Sequence, residues 1–492
     1  MANLWVRKSL DKLVNEAGDG EKGLKRTLGP VNLVALGIGA IIGAGLFVRT
    51  AAAIAERAGP SVTLAFLLAG LGCAFAGLCY AEFASMIPIA GSAYTYSYAT
   101  MGELMAWIIG WDLVLEYAVG AATVAIAWSQ YLNKLLVDCL GMSPIPYQWC
   151  HSPFQSEGGV SGIMNVPAVF ILLILTMVLI RGTKESALLN GLIVVTKVTI
   201  VILVIVLGWS FINPANHTPY LPKPDVFVKS GVSHAYGGIM GILGAAGVVF
   251  FAFIGFDAVS TAAQEAKNPA KDMPIGILGS LVVCTVLYVA FSHVLSGLAP
   301  VDFFRDPSRG AEASVAAAIT TYMPGYAWLS KFVTVAILAG FSSVILVMLL
   351  GQSRVFYSMS RDGLVPPVFS ELHPRFHTPW KSNMVFFVVT SLFAAFVPDN
   401  IVGEMTSIGT LFAFILVCIG VWIVRVREPD RVRAFKTPLV PLVPILGVLT
   451  CGAMIYGLGW TNWLRLIAWL AVGMVIYFGY STKHSKLQRG AE

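Results

Sequence analysis

Runs of about 20 apolar residues, the length of helix that crosses the hydrocarbon of a bilayer, recur from one end of this chain to the other. Twelve are readable, at 31–52, 61–87, 104–136, 166–180, 189–212, 238–262, 276–298, 328–353, 383–398, 401–424, 440–457 and 463–480. The alternation over roughly ten residues that marks a membrane barrel is absent, and unpaired backbone is not tolerated in lipid, so helices are the remaining way to span. Composition agrees, since the 492 residues are 57% hydrophobic and only 12% charged. That charged share is roughly half that of a soluble globular chain, which excludes a water-soluble domain and intrinsic disorder. The 48 Gly show no triplet period and the seven Cys fall far below scaffold density, which excludes collagen and a disulfide framework. The expectation is an all-α polytopic membrane protein with twelve transmembrane helices.

Charge orients the chain. Residues 1–30 are charged and lack an apolar stretch ending in a cleavage site, so no signal peptide is expected and the first span itself targets the membrane. With the N-terminus inside, 22 Lys and Arg fall on cytoplasmic segments against 9 on the opposite side, as the positive-inside rule requires. Both termini are therefore expected in the cytoplasm of a cell carrying this protein in its plasma or bacterial inner membrane. The net charge of +6 then reflects orientation and contact with anionic lipid rather than a nucleic-acid surface. Cys73, Cys79, Cys284, Cys418 and Cys451 sit within spans, as small apolar packing. Cys139 and Cys150 fall in the outer segment between the third and fourth helices, where a disulfide is open but not decided by sequence.

Two of the runs are built to break. The first reads LGIGAIIGAGLFV, with Gly37, Gly39, Gly43 and Gly45 inside an otherwise helical stretch. Each glycine costs about 1 kcal/mol against Ala in a helix interior. Close packing through small residues is one reading. The sharper one is a helix unwound near Gly43, Ala44 and Gly45, whose free amides and carbonyls line a cavity. The sixth run reads GVVFFAFIGFDAVSTAAQEAKNP, with Gly255 and Asp257 in its apolar middle beside clustered Phe residues. A charge at a helix centre costs about 2.5 to 3.5 kcal/mol on insertion scales, so Asp257 is expected to face an interior cavity. Read instead as the cap of a second half-helix, it still implies a break.

Interruptions at corresponding places, the first helix of five and again the first of five, point to a transporter of two inverted five-helix repeats. Half-helix N-termini carry partial positive charge and free N–H groups that suit a carboxylate, while opposing ends and unwound carbonyls suit an ammonium. A zwitterionic α-amino acid matches both.

Other membrane charges bear on mechanism. Lys197 lies about eight residues into LIVVTKVTIVILVIVLGW, which holds no acid. Snorkelling accounts for lysines near helix ends, but this one is deep, and desolvation penalises its charged form enough to make a proton-carrying role feasible. Protonated, Lys197 is expected to hold the unwound first helix as a bound cation would. Asp112 and Glu116 share a face of the third helix, with Glu103 at its start and Glu82 in the second. Closing polar networks between helices is their expected role, a proton relay the alternative. The seven His form no ligand pattern, and Pro374 between His373 and His377 marks a loop. No G-x-x-x-x-G-K-[ST] phosphate loop is present, so ATP-driven transport by this chain is not expected, and no hydrolase spacing occurs.

The segments LKRTLGPVNLVALGIGAIIGAGLFV, YAEFASMIPIAGSAYTYSY, GWDLVLEYAVGAATVAIAWSQYL, FFAFIGFDAVSTAAQEAKNPAKDMP and SRVFYSMSRDGLVP together resemble the cationic amino acid transporter branch of the amino acid, polyamine and organocation superfamily. The likeness runs from about residue 24 to the last span. It implies a leucine-transporter-type 5+5 inverted repeat in the first ten helices, helices 11 and 12 peripheral, helices 1 and 6 unwound at the centre, and secondary uptake of amino acids by alternating access. It further implies that Ile41, Gly43, Ala44 and Gly45 take the substrate carboxylate, and that Phe251, Ala252 and Ile254 receive its amino group and side chain, with Asp257 close by. Lys197 is implied in proton coupling. The helix 8 hydroxyls of Ser342 and Ser343, its expected partners, stand where sodium sits in sodium-coupled relatives.

Sodium dependence is disfavoured, protons are the expected coupling ion, and no cofactor, metal or catalytic residue is expected. Many relatives have Thr or Ser where Ala44 stands, so a side-chain hydrogen bond is missing. Bulky Phe341 is expected to limit pocket depth, favouring alanine-sized substrates over arginine. The organisation expected is a cytoplasmic segment 1–30, a first repeat 31–212, a second repeat 213–427, peripheral helices over 428–480 and a cytoplasmic tail 481–492. The partners expected are an amino acid and membrane lipid, with a small single-span accessory subunit left open and no nucleic acid. Small neutral and cationic L-amino acids, an exchange mode and a non-transporting receptor remain the functional readings, an enzyme being the most distant.

Overall fold

The computed structural model describes residues 4–9, 28–43, 45–87, 92–182, 186–229, 232–306 and 314–490. Helices dominate. Among the described residues eight stretches are long and apolar enough to cross a bilayer: Gly45–Met86, Glu103–Cys139, Gly191–Phe211, Gly238–Ser260, Pro269–Leu298, Ala327–Arg361, Asp399–Arg427 and Trp460–His484. Four shorter apolar helices accompany them, Pro30–Ile41, Val166–Arg181, Trp380–Phe396 and Leu442–Leu458. Helices satisfy most of their own backbone groups, which is what lipid demands.

Every one of these helices is apolar, and it is burial that distinguishes them. In Glu103–Cys139 89% of the most apolar window is buried, whereas in Trp460–His484 only 22% is, so the first is central and the second lies at the rim. Helix starts follow local chemistry. Pro167 and Pro269 stand in first turns, where a missing N–H costs nothing. Asn165 caps Val166–Arg181 by accepting from the Ala168 amide at 3.2 Å.

Acids buried between helices find partners at both ends of the bundle. Glu82 accepts from Arg425 Nε at 2.8 Å and Nη2 at 2.9 Å, and from the Thr437 amide at 2.8 Å. It thereby ties Val62–Met86 to the end of Asp399–Arg427. Glu103 accepts from the hydroxyls of Tyr98 and Tyr477 and from Ser485 and Gln488 in the C-terminal tail. Lys8, in the N-terminal stretch, pairs with Asp362 at 3.1 Å. Two small antiparallel hairpins lie in the loops, Ser156–Glu157 with Val160–Ser161 and Asp225–Lys229 with Val232–Tyr236.

Cys139 and Cys150, for which the sequence left a disulfide open, are both free thiols. Cys150 Sγ instead accepts from Asn133 Nδ2 at 3.3 Å, and burial pushes its thiol up from the ordinary range. His373 and His377 lie in a loop, where the His373 ring nitrogen takes the Arg375 amide at 3.1 Å.

Candidate functional site

The two glycine-bearing apolar runs are interrupted where the glycines stand. The first stays α-helical over Pro30–Ile41, turns extended at Ile42 (φ −71°, ψ 107°), and resumes as a wider π-helical turn over Gly45–Arg49. The second is α-helical over Gly238–Val249 and tightens into a 3-10 turn at Phe250–Phe253. It then turns extended at Ile254 (φ −59°, ψ 135°) and resumes over Asp257–Glu265. Gly255 between the halves has φ +110°, a left-handed conformation that side-chain-bearing residues avoid.

The two breaks touch each other. A Cβ on Gly45 would fall 2.1 Å from the Ala252 Cα, so only glycine lets the backbones meet there. A Cβ on Gly255 would fall 3.0 Å from the Ala40 carbonyl oxygen, on the other side of the crossing. Glycines that sequence assigned to unwinding thus do a second job, close approach. Gly43 is buried, and its carbonyl accepts from the Leu46 amide at 3.2 Å. Ala44 lies outside the described residues.

Two side chains from neighbouring helices hold the freed carbonyls, and a third holds Asp257. Lys197, 2% exposed, donates from Nζ to the carbonyl oxygens of Gly39 and Ile42, both at 2.9 Å. These carbonyls close the first half-helix, where the dipole concentrates negative partial charge, so an ammonium is well placed. Tyr288, in Pro269–Leu298, donates to Ile41 at 3.0 Å and to Ala252 at 2.9 Å, one proton serving a carbonyl of each broken helix. Tyr117 donates to Asp257 Oδ2 at 2.5 Å. Asp257 Oδ1 and both Glu116 carboxylate oxygens are buried with no hydrogen-bond partner among the described residues.

The Ala327–Arg361 helix closes the site's flank. Lys197 bonds the two carbonyls rather than Ser342, whose hydroxyl returns to the Leu338 carbonyl of its own helix at 2.9 Å. The contact with Lys197 comes from Gly340, where a Cβ would meet the lysine Cε at 2.7 Å. Phe341 is fully buried, edge-on to Tyr131 with ring centres 5.7 Å apart. Beside it, Gly43 and Lys197 border a cavity of about 10 Å³, room for one water. Phe251, Ala252, Ile254 and Asp257 are all buried at the second break.

The structure brings Ile41, Gly43, Gly45 and Lys197, named from the sequence, together with the second break and with Tyr288, Tyr117 and Gly340, which the sequence reading did not name. Tyr117 adjoins the noted Glu116, which was a usable signal. A tyrosine in the middle of an apolar run was the only mark of Tyr288.

Residues 28–476 match the model of a family described as amino acid permease. The chain is 43% identical to a branched-chain amino acid permease, BcaP, of Bacillus subtilis over 99% of each chain. It is 40% identical to a methylthioribose transporter of the same organism over 99% of this chain and 100% of the relative. A vacuolar cationic amino acid transporter of Arabidopsis thaliana is 34% identical over 88% of this chain and 68% of its own length.

Proposed function

The chain belongs to the amino acid permease family, whose members are membrane transporters and not enzymes, and from that premise we propose that it takes up small neutral and/or cationic L-amino acids by proton-coupled alternating access. In this reading twelve helices form two inverted five-helix repeats plus two peripheral helices. The substrate's carboxylate binds the amides at Gly43 to Gly45, and its ammonium binds the carbonyls around Ala252 and Ile254. The observation that carries the reading is the meeting of the two breaks, with Lys197 on the carbonyls of Gly39 and Ile42. An ammonium there does what a sodium ion would do, and losing its proton frees the first half-helix to move.

Likeness to a branched-chain amino acid permease favours neutral substrates over arginine. The likeness to a methylthioribose transporter supports a second reading, a thiosugar substrate lacking both carboxylate and ammonium. An exchanger and a receptor without flux stay as further alternatives.

Uptake of labelled alanine and isoleucine into sodium-free proteoliposomes, with and without an inward proton gradient, separates these. Gradient-driven accumulation is expected, with alanine competing better than arginine and methylthioribose not competing. Flux only from amino-acid-preloaded vesicles means exchange, and binding without flux means a receptor. Lys197→Met should abolish the pH dependence of uptake, and an unchanged pH profile removes Lys197 from the mechanism.

A further inference from the structure

The C-terminal end of the chain returns to the bundle on the face that the charge asymmetry assigns to the cytoplasm. Trp460–Ile476 lies at the rim, yet Ser481 and Ser485 beyond it are fully buried. The Ser481 hydroxyl donates to the Leu364 carbonyl at 2.7 Å, and the Lys486 amide to the Asp362 carbonyl at 3.1 Å. Between them stands Gly363, at φ +83°, where a Cβ would fall 2.3 Å from the His484 carbonyl oxygen, so glycine is what lets the tail backbone lie on this turn. Ser485 and Gln488 both donate to Glu103, itself fully buried.

Glu103 and Asp362 are also the posts of a short helix, Ser92–Thr100, every residue of which is buried. Tyr98 donates to Glu103 at 2.8 Å and Tyr94 to Asp362 at 2.7 Å. The two tyrosines are four residues apart, so they leave the same face of that helix. At its other end Ser92 accepts from Ser260 Oγ at 3.2 Å, and Ser260 belongs to Asp257–Glu265, the resumed half of the second broken helix. The N-terminal stretch reaches the same posts: the Val6 carbonyl accepts from the Glu103 amide at 2.9 Å, and the Lys8 amide donates to the Tyr98 carbonyl at 3.3 Å. A continuous series of contacts thus runs from the tail through Glu103 and the helix Ser92–Thr100 to the broken helix.

We propose that residues 481–488 form an inner strap: docked on Glu103 and Asp362, they pin Ser92–Thr100 against the resumed half-helix and keep the inner side of the transporter closed. Undocked, they free that short helix to move with the half-helix as substrate leaves inward. The strap is held by a few polar contacts at a chain end, so it opens locally without unfolding the bundle. Merely fastening Trp460–Ile476 to the bundle is a different role, and it makes a different prediction: losing the docking then loosens the tail and nothing else. This inference rests on the transport reading above.

The test compares wild type with the double variant Ser485→Ala, Gln488→Ala of the full chain. Tyr98 and Tyr477 stay on Glu103 in that variant, so no buried carboxylate is left bare and the bundle is expected to fold. Hydrogen–deuterium exchange is read over residues 92–100 and over the tail, with labelled isoleucine uptake into proteoliposomes alongside. Exchange over 92–100 is expected to speed up about tenfold, the scale of one hydrogen bond to a charged group. The maximal uptake rate is expected to rise about twofold or more, inner opening being the step that the strap slows. Gly363→Ala, which crowds the tail from the other side without touching Glu103, is expected to act in the same direction. If exchange speeds up only in the tail, or if the maximal rate stays level or falls in both variants, the tail only fastens its own helix and the proposal falls. Should the double variant not fold, Gln488→Ala alone makes the same comparison. Absence of uptake by wild type across amino acids overturns the transport reading itself, whereas normal wild-type uptake with unchanged exchange over 92–100 overturns only the strap.

Discussion

At the residue scale, the site depends on atoms that are missing. Gly45 and Gly255 let two backbones cross, and Gly340 leaves the groove in which the Lys197 stem lies. Adding a methyl at Gly45 puts a Cβ against a backbone atom that no rotamer change can move. Gly45→Ala is expected to cost about 1–3 kcal/mol through overpacking and to abolish transport. Gly452→Ala is the control, because its Cβ meets nothing within 4 Å and the change favours the helix. Thermal unfolding in detergent and uptake by both variants check this, and a transporting Gly45→Ala contradicts the crossing. The same scale explains why Lys197 was legible and Tyr288 was not. A lysine in hydrocarbon announces a function by its cost, whereas a tyrosine is ordinary in an apolar helix until its hydroxyl is seen bridging Ile41 and Ala252.

At the element scale, loops are fixed to helix ends by polar contacts that respond to pH. The short 3-10 turn Pro214–His217 is held by the amide of Asn213 and the side chain of Asn216 on the Gly297 carbonyl. His217 lies tilted against His293 with ring centres 4.6 Å apart and meets Ser296 Oγ at 3.1 Å. Burial, and then the neighbouring His293, hold the His217 imidazole below its ordinary range. The unfolded chain therefore takes up a proton more readily than the folded one. The anchoring is complete above the ordinary imidazole range and is lost as pH falls through it. Wild type is expected to lose thermal stability between about pH 7.5 and pH 5, and His217→Gln to lose less. Equal losses in the two proteins, at fixed ionic strength, dismiss His217 as the source.

At the scale of the whole molecule, the surplus of Lys and Arg on one set of segments predicts which side faces the cytoplasm. The Ser156–Glu157 hairpin is expected outside and the tail at Gly490 inside. In a Cys139→Ser, Cys150→Ser background, Gly158→Cys should react with an impermeant maleimide in intact cells, and Gly490→Cys only after permeabilisation. The reverse pattern inverts the orientation. Both substituted glycines stand in open space, so no packing is disturbed, and the strain of a side chain at φ +56° and +65° stays local to each turn.

The sequence by itself determined that the chain is helical and membrane-embedded, because hydrocarbon leaves few ways to satisfy a backbone and the apolar runs repeat throughout. It also located both breaks and Lys197, since glycine and charge inside an apolar run carry a local cost that is readable without neighbours. What it did not contain is which helix answers each cost. The pairing of Glu82 with Arg425, the meeting of Gly45 with Ala252, the placing of Lys197 on carbonyls rather than on Ser342, and the free state of Cys139 and Cys150 are contacts between distant positions. Nearly every helix face here is apolar, so hydrophobic pattern cannot choose among neighbours. Close packing of small residues and the satisfaction of buried polar groups make that choice, and both exist only once the helices are assembled.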